Sequence, residues 1–167
     1  MSECKYSFSK NKYLGTTVMI LCFCSLLFSC DNNTEASEFP ECFVGTYLNE
    51  EGSGAKSIWN LSSDGTFTGQ SSTEKVFNFT GQMGAWRSTG SNSAEILMLD
   101  FSFDEQGNFA NTARIDIEIE FEGENCEETV GSFELRFFEE DEDPLDVSTD
   151  TGEAIEDTYT GRKVIIQ

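Results

Sequence analysis

The chain has no histidine, only 10 lysines and arginines, and two prolines in its 167 residues. Without an imidazole there can be no histidine-based triad, no Cys-His dyad and no histidine-containing zinc site. The basic residues face 31 aspartates and glutamates, for a net charge of −21. A surface this acidic repels phosphate backbones and anionic headgroups, which argues against nucleic-acid binding and favours solubility. No Gly-rich phosphate loop or dinucleotide fingerprint occurs, and no stretch has a convincing helical period. Neither a metal nor an organic cofactor is expected. What the chain does have is phenylalanine (15), glycine (14) and six cysteines.

The first thirty residues have the plan of an export signal. Lys5, Lys10 and Lys12 make a positive start against the single acid Glu3, and residues 14–29 are uncharged and largely apolar. At roughly 16 residues, that run suits a signal core and is short for a bilayer span of about 20. The polar run Asp31, Asn32, Asn33, Thr34 and Glu35 cannot continue a hydrophobic helix. Leu27, Ser29 and Cys30 together resemble the lipobox of bacterial lipoproteins. The resemblance implies cleavage before Cys30, lipid on that cysteine and a membrane-tethered protein of the cell envelope, facing the periplasm or the cell exterior. An ordinary secretory signal and an uncleaved anchor helix are the alternatives. Each buried methylene of an acyl chain contributes about 0.8 kcal/mol, so one chain binds marginally and several hold firmly.

The expected organisation is therefore a signal at 1–29, a lipidated cysteine and tether at 30–41, and one domain at 42–167. Loss of the signal removes three basic residues and one acid, leaving a charge of about −23 on the rest. It also removes Cys4, Cys22 and Cys24, and lipid would occupy Cys30. Cys42 and Cys126 remain as a candidate disulfide, with two separate buried thiols as the alternative. Joined, they would close a long loop and stabilise the fold by about 4 kcal/mol in the loop-entropy model.

Beyond the tether the chain reads as strands and turns. Strands are expected at 42–48, 56–61, 66–71, 77–80, 83–89, 94–103, 114–122, 130–138 and 158–166. The Asp64-Gly65 pair marks a hairpin, because glycine accepts the positive φ that such a turn needs. Residues 114–122 alternate cleanly, with Ile115, Ile117, Ile119 and Phe121 on one face and Asp116, Glu118 and Glu120 on the other. Leu97, Leu99, Phe101 and Phe103 are expected to share the buried face of their strand, and Phe133, Leu135 and Phe137 that of theirs. Eight or nine short strands joined by tight turns indicate an all-β fold, an up-and-down barrel or a sandwich; the length suits a single antiparallel up-and-down barrel of about eight strands, which is the expectation.

The runs Trp59-Asn60-Leu61-Ser62-Ser63-Asp64-Gly65-Thr66-Phe67 and Gly84-Ala85-Trp86, after Gly45-Thr46-Tyr47, resemble the bacterial lipocalin-like domains. The resemblance covers residues 43–103 and implies a calycin-type barrel with a hydrophobic ligand. A barrel of eight strands can be filled by side chains or can hold one small ligand. The aromatic residues form its core in the first case. In the second, Trp59, Phe67, Trp86, Phe101 and Phe133 would line the ligand cavity.

Among charged residues, Asp100 interrupts an apolar strand. Alternation predicts that it faces water, and burial would make it a candidate general acid. Arg87, Arg114 and Arg136 are expected in surface ion pairs. Residues 139–157 read as a long, solvated acidic loop. Asp146, Ser148, Asp150 and Asp157 match part of a calcium-loop pattern, but Thr151 stands where that pattern requires glycine. The expected function is a non-catalytic binding module for a small apolar or amphipathic molecule. The alternative is an envelope scaffold with a packed barrel, whose acidic loop meets a basic envelope protein. A carboxylate-based enzyme is the third reading.

Overall fold

A computed structural model describes residues 40–150 and 153–166. The leader, Cys30 and most of the tether lie outside the described residues. Eight strands follow one another: β1 (Gly45–Glu51), β2 (Lys56–Leu61), β3 (Thr66–Ser71), β4 (Gln82–Ser88), β5 (Ser93–Phe103), β6 (Phe109–Glu122), β7 (Glu128–Phe138) and β8 (Ile155–Lys163). Each pairs antiparallel with the next, and β8 pairs with β1, so the sheet closes into an up-and-down barrel. Closure leaves no open sheet edge to recruit another strand.

The turns follow from local chemistry. Gly65 takes φ 83°, while the Asp64 carboxylate accepts the Thr66 backbone N–H at 2.9 Å. Asp104 does the same for Gln106 and Asn108. The strand expected at 77–80 does not form: Phe77 closes a single helical turn, α1 (Glu74–Phe77), and the residues after it keep only one bridge, Phe79 to Ser102. A 3-10 turn at Glu41–Phe43 precedes β1, and the last strand begins at Ile155.

The inner face of β6 carries Ala113, Ile115, Ile117, Ile119 and Phe121, all buried. Its register sets that of β5, where Ile96 lies opposite Ile117 and Met98 opposite Ile115. The inner residues of β5 are therefore Ala94, Ile96, Met98 and Asp100. This reverses the expected face. Both faces of that strand are apolar over residues 96–99, so period two could not choose between them. Phe101 consequently lies outside the barrel wall, 52 % exposed and in edge contact with Phe109.

One end of the barrel is sealed. Phe43 from the 3-10 turn stacks on Phe121, with ring centroids 3.9 Å apart, and meets Trp86 at 6.3 Å. The Tyr47 hydroxyl donates toward the carbonyls of Cys42, Phe43 and Cys126. Lys163 donates to the Cys42 carbonyl at 2.8 Å. Cys42 and Cys126 are joined across a sequence separation of 84, with Cα atoms 5.5 Å apart. Gly84 lets β4 pass close to β5 above this plug, since a Cβ there would overlap the Leu97 carbonyl oxygen.

Candidate binding site at the open end

Strand order places the other end at Glu51 of β1, Ser57 of β2, Gln82 of β4, Asp100 of β5, and Leu135 and Asp157 of β7 and β8. Here inner-face apolar residues are not fully covered. Phe133 and Leu135, opposite Ile117 and Ile115, are only partly buried. Further out on the same face, Phe137 is 51 % exposed and Ile155 is 55 % exposed. An inner-face residue can meet solvent only if the barrel is open at that end.

Asp100 is 6 % exposed and Gln82 is 9 % exposed. Extending the β4–β5 register by one pair from Met83 and Leu99 sets these two residues opposite each other. Burial pushes the Asp100 carboxyl up to about 6; a hydrogen bond from the Gln82 side chain opposes this, and the nearby Glu74 charge adds to it. A carboxylate can only accept, so Gln82 must offer it the amide N–H, which leaves Gln82 Oε1 free. Both Gln82 Oε1 and Asp100 Oδ1 are buried without a partner, as is Asn111 Oδ1 on β6. Across the mouth, desolvation raises the Glu51 pKa, the Asp157 charge raises it further, and a hydrogen bond to Ser53 lowers it.

A second orphaned group lies deeper. Asn49 pairs in register with Ser57 on β2 and with Gly161 on β8, and Gly161 pairs with Thr129. A Cβ on Gly161 would overlap both Asn49 Oδ1 and Thr129 Oγ1. The Asn49 amide, Ser57 Oγ, Thr129 Oγ1 and Trp59 Nε1 are all buried and unpartnered. Leaving such a group unsatisfied costs about 1–3 kcal/mol, so a cluster of them calls for an explanation, and a polar ligand is one.

The five aromatic residues proposed to line a cavity separate. Phe133 reaches the mouth. Trp59 lies deeper, between Phe67 (5.9 Å) and Tyr159 (4.6 Å), both edge-on. Phe67 is fully buried. Trp86 belongs to the sealed end, where its Nε1 donates to the Ser62 carbonyl at 2.9 Å. Phe101 is outside and lines no lumen. Asp100, expected to face water, is inside, because the reversed face of β5 carries it there. The orphaned Asn, Ser and Thr groups carry no sequence signal, because single polar residues on short strands have no periodicity.

The acidic loop also departs from expectation. Arg114 stands on the outer face of β6 yet is only 2 % exposed, because the segment after β7 folds back over it. Its Nη1 and Nη2 grip Asp150 at 3.1 and 2.5 Å, Nη1 also donates to the Pro144 carbonyl at 2.8 Å, and Nε donates to Asp116 at 2.8 Å. The guanidinium lies 5.2 Å from the centre of the Phe138 ring. Hydrogen bonding to Arg114 holds Asp150 below the usual carboxylate range. The residues of the calcium pattern are thereby dispersed: Asp146 caps Ser148, Asp150 serves Arg114, and Asp157 sits in β8. Among the described residues no group of three or more acids converges to hold a metal ion.

No family model, curated protein or solved structure matches this chain. The closed eight-stranded barrel is compatible with the lipocalin-like fold that its motifs resemble.

Proposed function

We propose that the protein is a lipid-tethered, extracytoplasmic and non-catalytic binding module that takes a small amphipathic molecule into the open end of its barrel. One observation carries the reading: at the open end, the unpartnered Asp100 Oδ1, Gln82 Oε1 and Asn111 Oδ1 share the inner face with the half-covered Phe137 and Ile155. Unpaired acceptors beside a half-covered apolar wall favour a ligand over a packed scaffold. The apolar surface supplies affinity, and a few polar groups supply orientation, as in other small-molecule sites. The chain enters the barrel at the sealed end, where Phe43 and Cys42 are held.

Mass spectrometry tests both halves. Protein purified from its native envelope should carry acyl mass on Cys30 and release a small molecule of defined mass on denaturation. An unmodified Cys30 in a mature chain refutes the tether. A chain that carries no small molecule and leaves Trp59 fluorescence unchanged on titration with amphiphiles of every head group refutes the binding module. The scaffold alternative retains one observation in its favour, the exposed acids Glu139–Asp143 beside the pinned loop. Salt-sensitive capture of a basic envelope protein, lost when those five residues are neutralised, would support it.

A further inference from the structure

We propose that the open end selects a protonated amine, whose N–H donors dock on Asp100 and Gln82 while its apolar body lies along Phe133 and Leu135. The inference rests on the reading of the barrel as a binding module and adds the head group of its ligand.

Around Asp100 the orphaned atoms decide the polarity; the donors Asn49 Nδ2 and Trp59 Nε1 lie deeper. Asp100 Oδ1, Gln82 Oε1 and Asn111 Oδ1 are all acceptors, and all lack a partner. Asn111 lies opposite Ser102, two residues beyond Asp100 on the same inner face. A ligand that satisfies them must bring donors. A carboxylate, a sulfate or a phosphate brings acceptors and a repelled charge. A hydroxyl brings one donor, whereas a primary ammonium brings three and no acceptor.

The charge agrees. Glu74 from α1 stands near enough to Asp100 to raise its pKa, and Glu51 and Asp157 repel each other at the same end. Among the described residues, the strands place no lysine or arginine on the inner face there. Lys56 is turned outward to Glu50, and Lys163 is at the sealed end. The acids come from β1, β5, β8 and α1 and do not converge as metal ligands. The complement is therefore an organic cation with N–H groups. Docking it would give the buried carboxylate an ion partner and satisfy the amide oxygen beside it.

The apolar wall gives the body of the ligand its place. Phe133 and Leu135 are inner-face residues left partly uncovered, and Phe137 and Ile155 continue that wall to the rim.

Isothermal titration of the full-length protein with four eight-carbon probes tests the proposal: octylammonium, octyltrimethylammonium, octanol and octanoate. Octylammonium should bind at least about tenfold tighter than the trimethylated probe or octanol, and octanoate weakest, which is the discrimination expected of a charged hydrogen bond. Asp100→Asn should remove that advantage and leave octanol within about twofold. Gln82→Leu should weaken octylammonium in the same direction. Near-ultraviolet circular dichroism of Trp59 and Trp86 establishes that each variant is folded. Glu140→Gln, on the exposed loop, should change nothing and so separates site binding from general attraction to an acidic surface. Equal affinity for octylammonium and octanoate, or an octylammonium affinity untouched by both substitutions, overturns the amine proposal while leaving the binding module intact. Absence of binding by all four probes overturns the amine proposal; if the protein from its native envelope also carries no small molecule, the module falls with it.

Discussion

Asp100→Asn should make the protein more stable at neutral pH, the reverse of what removing a buried charged residue from an ion pair does. Among the described residues Asp100 has no cationic partner; its aids are the Gln82 hydrogen bond and whatever solvent reaches the mouth. Its carboxyl titrates near 6, against an ordinary 3.8. The folded state therefore holds a proton that the unfolded chain releases, and stability falls as pH rises through that interval. Taken at face value the difference destabilises the fold by about 3 kcal/mol at pH 7. The mouth is open to water, and screening there brings the expected effect to about 1–2 kcal/mol. Asparagine keeps the shape and an acceptor and removes the charge. In urea, with a slope of about 2 kcal/mol per molar, the midpoint at pH 7.5 should rise by roughly 0.5–1 M. At pH 4 the two proteins should unfold together, because Asp100 is then protonated in the folded state. Glu51, Glu74 and Asp157 are common to both proteins, so their contributions cancel to first order. A variant less stable at pH 7.5, or one whose difference from wild type is the same at both pH values, refutes the reasoning. In the second case packing, not charge, would be the cause.

Four further outcomes follow from the geometry. Arg114→Met should lower stability by about 2–3 kcal/mol, the scale of charged hydrogen bonds lost, and should open residues 139–150 to protease at concentrations that spare the barrel. Arg114→Lys should rescue little, since a single ammonium cannot grip Asp150, Asp116 and the Pro144 carbonyl at once. Gly84→Ala should cost more than about 3 kcal/mol or abolish folding, because the new methyl meets backbone and not a movable side chain; a normal thermal midpoint would disprove the close approach. Replacing Cys42 and Cys126 together by serine should lower stability by about 4 kcal/mol in denaturant titration, with the loss reproduced by reductant on the wild type.

Much of this was legible because strand alternation is a local property. β6 declared its faces in sequence, as Ile115, Ile117, Ile119 and Phe121 are separated by a run dominated by acids. The Asp64-Gly65 and Asp104–Asn108 turns carried their own hydrogen-bonding chemistry. β5 did not declare itself. Its residues 96–99 are apolar at both parities, and only hydrogen bonding to β6 put Ile96 and Met98 inside and Leu97, Leu99 and Phe101 outside. Asp100 went inside with them, which made the candidate site. Arg114 was unreadable for a similar reason. Its partners Pro144 and Asp150 lie 30 and 36 residues away, and an acidic loop looks alike in sequence whether solvated or pinned.

The sequence by itself determined an all-β chain of antiparallel strands, the position of its main turns, its acidic surface and the chemistries closed to it by the missing histidine. These depend on neighbours two to four residues apart, where side-chain alternation and turn geometry operate. Only the tertiary structure decided that the barrel closes with eight strands, that one end is plugged by Phe43, Trp86 and Phe121, and that the other gathers Gln82, Asp100 and Asn111. Register and closure are set jointly by hydrogen bonds between strands distant in the chain, and a one-residue choice of register exchanges every inner residue for an outer one.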